Sequence, residues 1–162
     1  IPGQKPTMYL SRNTEDAHQT IGSIIRNYTQ QGIQKKQIVV LTVKTEDTSI
    51  LSGISSVGGY PLVSNRNDNG ILFTSSRKFK GLESDVVIVV DVDDSCFLDD
   101  EKRRVFYVGS SRAKHFLDIV SVMNDEDTNS MVVRLTGEKK KNAKLALGSF
   151  LKVKIVSGST TS

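Results

Sequence analysis

The sequence lacks residues that several common classes of protein need. Among its 162 residues there is no tryptophan, one cysteine and two histidines. A single cysteine, Cys96, cannot form an internal disulfide, and two isolated histidines do not supply the spacing of a zinc site. We therefore predict no metal site, and we predict that Cys96 is a small core or loop residue.

Long apolar segments are absent too. A helix that crosses a bilayer needs ~20 apolar residues, and no stretch of this sequence approaches that length. Residues 1–10 also lack the pattern of a signal peptide. We therefore predict a cytoplasmic protein that has no membrane partner.

The sequence contains no phosphate-binding loop of the form G-x-x-x-x-G-K-[ST]. The backbone cradle and the lysine that hold the β- and γ-phosphates of a nucleotide are therefore not supplied by these residues. The chain also begins at Ile1 and not at Met. Together, the two features predict a segment of a longer protein.

The length and composition are those of one domain with a buried core, since 37% of the residues are hydrophobic. We predict a single domain over residues 1–156 and a disordered tail over residues 157–162. The net charge of +4 comes from 22 basic and 18 acidic residues, which is a mild excess. It favours an anionic partner and indicates nucleic acid only weakly.

Apolar patterning predicts strands and helices in alternation. Apolar residues from Ala17 to Tyr28 form one stripe of a helix that Asn13 or Thr14 would cap. The other predicted elements are strands at 6–10, 37–43, 71–74, 85–90 and 116–122, short helices near 50–54 and 124–135, a helix from residue 101, and an edge strand at 150–156. This order indicates an α/β fold with a parallel sheet flanked by helices.

Two blocks in the middle of the chain carry the most specific pattern. The first is KGLE at residues 80–83, followed by the apolar strand at 85–90. The second is the pattern E-x-R-R-x-x-Y-V, which starts at Glu101 and continues into the sequence that holds Arg112. The blocks resemble motifs V and VI of UvrD/Rep-type superfamily 1 DNA helicases, in the compact form without a large accessory domain.

The resemblance implies a RecA-like fold and the role of the second motor domain in an ATP-dependent DNA helicase. In such motors the nucleotide lies between two RecA-like domains. ATP with Mg²⁺ would therefore be bound mainly by an N-terminal RecA-like domain, which is one implied partner. The other implied partner is single-stranded DNA, and the chain alone is expected to be inactive as an NTP hydrolase.

By the same resemblance, Arg112 is the arginine finger that reaches the γ-phosphate of ATP. Arginine suits this role because its planar fork stays charged and can hold two oxygens at once. Gly81 and Glu83 are the implied nucleotide-binding residues, because glycine admits a close ligand and a carboxylate accepts hydrogen bonds from ribose hydroxyls. Arg103 and Arg104 are predicted to be structural and to pair with the acidic loop or the sheet.

Ser75, Arg77 and Lys80 are the DNA-binding candidates that the resemblance implies. Ser75 and Arg77 stand where the family usually has threonine and histidine ahead of the lysine. A hydroxyl and a cation can both hold a backbone phosphate. The sequence therefore predicts contact with the DNA backbone through residues that depart from the family pattern.

Two other functions are compatible with these residues. A stand-alone module that kept the fold and lost the motor would bind nucleic acid or another protein without catalysis. A phosphate loop upstream in the same reading frame would decide against that alternative. The other alternative is an RNA-directed superfamily 1 helicase, although those proteins usually have a glutamine-glycine pair where Lys80-Gly81 stands.

Overall fold

The computed structural model describes residues 5–93 and 95–157, and an eight-stranded sheet lies at its centre. The strands are β1 (Thr7–Ser11), β2 (Ile38–Thr42), β3 (Ser56–Val57), β4 (Tyr60–Val63), β5 (Ile71–Ser75), β6 (Ser84–Val90), β7 (Ala113–Val122) and β8 (Lys154–Ser157). The helices are α1 (Thr14–Gln30), α2 (Ser95–Leu98), α3 (Asp100–Ser110), α4 (Asp125–Thr136) and α5 (Ala143–Leu151). The predicted tail lies outside the described residues, apart from Ser157, which belongs to β8.

The strands follow the order β3-β4-β5-β2-β6-β7-β1-β8 across the sheet. Every described pair of neighbours is parallel except the short hairpin of β3 and β4. Parallel neighbours need connections that return across a face of the sheet, and such sheets are covered by helices on both faces. The predicted α/β fold with a mostly parallel sheet is confirmed.

The central strand β2 is buried along its whole length. Val39 and Leu41 belong to the core on one face of the sheet, and Ile38 and Val40 belong to the core on the other. This alternation follows from the two-residue period of a strand. It explains why the strand appears in the sequence as a continuous apolar run.

Helix α1 covers one face of the sheet, as its apolar stripe predicts. Asn13 is its N-cap, and the Asn13 side chain accepts a hydrogen bond from the backbone N–H of Asp16 at 2.8 Å. Ala17, Ile21 and Ile25 are fully buried in the core on this face. The predicted cap and helix are both confirmed.

The opposite face is covered by α3, α4 and α5. Phe106, Met131 and Leu147 come from these three helices and share one core with Phe79. Cys96 is buried in the same core, where burial raises the pKa of its thiol. The prediction that Cys96 is a small core residue is confirmed.

The predicted short helix near residues 50–54 is wrong. That segment forms turns, and it leads into the hairpin of β3 and β4, which the sequence analysis did not predict. Gly58 and Gly59 form the hairpin turn with φ angles of +55° and +86°. Because glycine tolerates positive φ, this pair favours a tight turn between strands over a helix end.

The predicted edge strand at residues 150–156 is only partly confirmed. Phe150 and Leu151 belong to α5, which the sequence analysis missed, and the strand starts at Lys154. Asn142 caps the start of α5, and Lys152 ends it with a φ of +58°. The strand β8 does lie at the end of the strand order, where it pairs in parallel with β1.

Helix α1 touches the hairpin turn through a contact between two backbones. A Cβ placed on Gly22 would lie 2.8 Å from the Cα of Gly58 and 3.0 Å from its backbone nitrogen. Neither atom can rotate away as the end of a side chain could. Both glycines are therefore needed for this approach.

We expect Gly22→Ala to lower the free energy of unfolding by about 1 to 2 kcal/mol, measured by urea denaturation. Helix propensity alone predicts a gain of up to about 1 kcal/mol for this change. Overpacking against an immobile backbone costs about 1 to 3 kcal/mol and should reverse the sign. Ser23→Ala, at an exposed position of the same helix, is the control and should change stability by less than about 0.5 kcal/mol. A Gly22→Ala chain as stable as the parent would contradict the contact.

A buried acid lies beneath α1. Asp118 on β7 is 4% exposed, and its carboxylate accepts a hydrogen bond from the Tyr28 hydroxyl at 2.5 Å. Burial raises the pKa of Asp118 to about 6, although the hydrogen bond from Tyr28 opposes the rise. Burial and the nearby Asp118 also raise the pKa of Tyr9 to about 12 and that of Tyr28 further. Of these groups, Asp118 is the one that titrates near neutral pH.

The pKa of Asp118 should make stability depend on pH. Its folded-state pKa of about 6 lies above the ordinary value of 3.8, so the folded chain holds this proton more tightly than the unfolded chain. The contribution of Asp118 is therefore most favourable below its ordinary pKa and is lost as pH rises through about 6, by about 3 kcal/mol in all.

Urea unfolding of the parent and of Asp118→Asn, over about pH 4 to 7, measures this effect. We expect the parent to lose stability relative to the variant as pH rises. Tyr28→Phe should enlarge the loss, because it removes the hydrogen bond that favours the ionised carboxylate. A parent-to-variant difference that stays constant with pH would contradict the assignment.

Candidate functional site

Residues 76–83 connect β5 to β6 and contain most of the residues that the motifs single out. β5 and β6 pair in parallel with the two sides of β2. The connection therefore leaves the carboxyl end of β5, crosses one face of the sheet and returns to the amino end of β6. Ser75 and Arg77 lie toward the edge of the sheet that the carboxyl ends of these strands form, which we call the first edge. Gly81 and Glu83 lie toward the opposite edge, where the amino ends of the strands lie.

Phe79 anchors the middle of this connection. Its ring is 1% exposed and packs in the same core as Leu41 of β2. The backbone N–H of Phe79 donates to the carbonyl of Ser75 at 3.1 Å, and that of Leu82 donates to the carbonyl of Phe79 at 3.0 Å. Gly81 then turns the chain with a φ of +83°, in the region that favours glycine.

The first edge carries the predicted DNA-binding residues Ser75 and Arg77. Ser75 is buried, and its hydroxyl oxygen accepts a hydrogen bond from the backbone N–H of Lys78 at 3.2 Å. Arg77 is 59% exposed, and its guanidinium lies 3.6 Å from the carboxylate of Glu101. The side chain of Lys78 turns away to Glu46 at 2.9 Å, and this hydrogen bond lowers the pKa of Glu46.

The opposite edge brings Glu83 and Arg112 together, although they are far apart in the sequence. The backbone N–H of Ser84 donates to the carbonyl of Arg112 at 3.0 Å, and Ser84 pairs with Ala113 at the start of β7. The carboxylate of Glu83 lies 3.8 Å from the ammonium of Lys114. Ser84, which directly follows Glu83, and the predicted arginine finger are therefore neighbours at this edge.

Arg112 is held between the end of α3 and the start of β7. The helix ends at Ser110, and the backbone N–H of Arg112 donates to the carbonyl of Gly109 at 3.1 Å. The side chain is half-buried, and its Nε is buried without a hydrogen-bond partner. Within the described part of the chain, no carboxylate forms an ion pair with this guanidinium.

The two adjacent arginines of α3 differ in their surroundings. Arg103 donates from Nε to the carbonyl of Phe97 at 3.1 Å and lies 3.7 Å from the carboxylate of Asp100. Its predicted structural role is confirmed. The same prediction is wrong for Arg104, which is exposed and has no hydrogen-bond or ion-pair partner among residues 5–93 and 95–157.

A cleft of about 390 Å³ separates α3 from the connection at residues 76–83. It is lined by Ser76, Arg77, Lys80, Arg104, Val105 and Val108. The two elements lie close together because residue 109 is glycine. A Cβ at Gly109 would lie 2.5 Å from the hydroxyl oxygen of Ser76.

Two cations that lie beside the nucleotide candidates were not among the predicted site residues. Arg66 donates from Nη2 to the carbonyl of Glu83 at 3.1 Å, and its guanidinium lies 5.4 Å from the ring centre of Phe79. Lys114 is the ion-pair partner of Glu83. Arg66 stands in a polar loop without a motif, so only the fold shows its position. Lys114 directly follows the motif VI block and could have been included on that basis.

Within 5–93 and 95–157, no group of three or more His, Cys, Asp or Glu side chains is arranged to hold a metal ion. None of the helices described has the length and apolar character that crossing a membrane requires.

Residues 70–120 match the sequence model of a known family, and the match includes the connection at 76–83, all of α3 and Arg112. The family is the UvrD-like helicase C-terminal domain. The resemblance inferred from motifs V and VI is thereby confirmed. A search of curated proteins finds no match to the chain.

A solved structure supports the same architecture. The chain is similar to the crystal structure of the C-terminal domain of a possible DNA helicase from Lactobacillus plantarum WCFS1, with a TM-score of 0.55. Identity is 21%, over 74% of this chain and 75% of that one. At this identity the likeness establishes the fold alone, and it confirms the predicted RecA-like arrangement. The UvrD-like match covers residues 70–120, which is about a third of the chain.

Proposed function

We propose that this chain is the second motor domain of an ATP-dependent DNA helicase, which couples ATP hydrolysis to translocation on single-stranded DNA and to unwinding. The observation that best supports this proposal is the hydrogen bond from Ser84, which directly follows Glu83, to the carbonyl of Arg112 at one edge of the sheet. Arg77 lies near the start of the connection that carries Glu83, at the other edge of the sheet. A nucleotide at one edge and a DNA backbone at the other would be joined by this one short segment.

Arg112 would stabilise the charge on the transferring phosphate. Phosphoryl transfer depends mainly on positive charge placed against the phosphate oxygens. ATP with Mg²⁺ would supply the phosphoanhydride bond and the metal charge, with the ion held by an N-terminal RecA-like domain. A buried donor without a partner costs about 1 to 3 kcal/mol, so the unpaired Nε of Arg112 fits an anionic ligand at this edge.

Gly81 and Glu83 would bind the nucleotide beside Arg112. The absence of a side chain at Gly81 leaves open space, since a Cβ there would meet no atom within 4 Å. Glu83 is 65% exposed, and its ion pair with Lys114 at 3.8 Å is of the weak surface kind. Its carboxylate can therefore accept hydrogen bonds from ribose hydroxyls.

Arg77 and Lys80 would contact the DNA backbone from the connection at residues 76–83. Arg77 is exposed, and its pairing with Glu101 at 3.6 Å is between two solvated side chains, so a phosphate can compete for it. Ser75 is proposed to act with them, through the turn that its hydroxyl stabilises at Lys78. Such contacts position the strand and carry no base sequence information.

The arginine finger is tested by Arg112→Lys and Arg112→Ala in a polypeptide that joins this chain to a domain with a phosphate loop. We expect DNA-stimulated ATP turnover to fall by a factor on the order of 10³ to 10⁵ for Arg112→Ala. Lysine keeps the charge and loses the planar fork, so Arg112→Lys should recover little of this loss. Phosphate release with single-stranded DNA present is the measurement.

Arg26→Ala is the matched control for these variants, because Arg26 is exposed on α1, on the opposite face of the sheet. It should leave turnover unchanged. If both Arg112 variants stayed within about threefold of the parent, a gap below 1 kcal/mol, Arg112 would not be the finger. Intact DNA binding without any turnover in the parent would favour the non-catalytic module.

We expect the chain alone to bind single-stranded DNA weakly and without sequence preference, with an affinity that falls steeply as salt rises. Each phosphate that Arg77 or a lysine neutralises releases counterions, which gives this salt dependence. Fluorescence anisotropy of labelled oligonucleotides over a salt series measures it. Tight binding that persists at high salt, or strong preference for one sequence, would count against backbone contact.

A further inference from the structure

The cleft between α3 and residues 76–83 carries positive charge that the described residues do not balance. Arg77, Lys80 and Arg104 line it, and no acidic side chain of residues 5–93 and 95–157 does. Of these three cations, only Arg77 forms an ion pair with a carboxylate of the described residues, and both members of that pair are more than half exposed. Lys80 and Arg104 have no ion-pair partner in the part of the chain that the structure describes.

Three cations around one cleft repel one another unless an anion lies between them. The walls of the cleft also include the methyl groups of Val105 and Val108, of which Val108 is 39% exposed. A polyanion with apolar surfaces between its charges fits such a lining. A strand of DNA has this character, since its phosphates alternate with sugars and unstacked bases.

We propose that this cleft is a phosphate-binding subsite for single-stranded DNA, and that Arg104 is a DNA-binding residue supplied by α3. The proposal rests on the proposed function, which assigns Arg77 and Lys80 to DNA, and it adds a second element of the fold to the DNA contact. Arg104 and Arg112 belong to the same connection between β6 and β7. At about 1.5 Å per residue, they are separated by only a few turns of helix.

A phosphate held by Arg104 therefore contacts the helix that ends just before the predicted finger. α3 approaches the connection closely where Gly109 lies against Ser76. The two elements that line the cleft, α3 and residues 76–83, also lead directly to Arg112 and Glu83. DNA bound in the cleft thus touches both elements that position the nucleotide residues.

The test compares Arg104→Gln with Arg26→Gln in the chain as it stands. Both changes remove one exposed arginine charge, from opposite faces of the sheet. Anisotropy titrations with a labelled single-stranded oligonucleotide over a salt series are the measurement. We expect Arg104→Gln to weaken binding roughly three- to tenfold and to reduce the salt slope by about 0.7, the value for one phosphate of a single strand. Arg26→Gln should change neither quantity.

Two experiments distinguish a DNA-binding role of Arg104 from a structural one: DNA binding by Arg104→Lys, and thermal unfolding of both Arg104 variants. Because Arg104 has no partner among the described residues, the unfolding midpoint should not change in either variant. Lysine should restore the salt slope, since it keeps the charge. Loss of affinity together with a lowered midpoint that lysine does not restore would overturn the proposal in favour of a structural role.

Two further outcomes distinguish this inference from the proposed function. If Arg77→Gln weakens binding while Arg104→Gln behaves like Arg26→Gln, the Arg104 assignment is wrong and the proposed function stands. If the parent shows no salt-dependent binding to the oligonucleotide, both the Arg104 assignment and the proposed function are overturned.

Discussion

The burial of Phe79 between the sheet and α3 is the constraint on which the candidate site depends. β5 and β6 are parallel, so their connection must cross a face of the sheet, and it does so through turns without a regular helix. A fully buried aromatic ring at its midpoint holds it against the core. Arg77 and Glu83 are thereby placed toward opposite edges of the sheet, although only a few residues separate them.

The cations around Phe79 differ in whether another group of the chain already binds them. Arg103, Lys78 and Lys114 each have an internal partner, whereas Arg104 and Arg112 have no acidic partner among the described residues. An arginine near a protein surface that lacks such a partner remains free to hold an external anion. Arg104 and Arg112 both lie on the connection between β6 and β7, which is consistent with a division of labour between a DNA phosphate and a nucleotide phosphate.

Much of the fold was predictable because its central elements have strong local signals. Helix α1 has an N-cap and one apolar stripe that faces the core along its length. The strands β2 and β6 are continuous apolar runs because they are buried along almost their whole length. The errors fell where two signals compete. Near residue 50, the turn at Gly58-Gly59 outweighed a weak helical pattern. After residue 142, the cap at Asn142 favoured a helix, although residues 150–156 alternate between apolar residues and lysine.

The sequence by itself determined the motif residues, the absence of a phosphate loop and the alternation of strands and helices, because these are properties of short stretches of chain. The tertiary structure decided which of those residues are neighbours. Glu83 meets Lys114, and the backbone of Arg112 meets Ser84, only because parallel pairing aligns the amino ends of β6 and β7. The different surroundings of Arg103 and Arg104 depend likewise on which side of α3 faces the core. Long-range pairing of this kind arises from the burial of the whole sheet, and no local pattern encodes it.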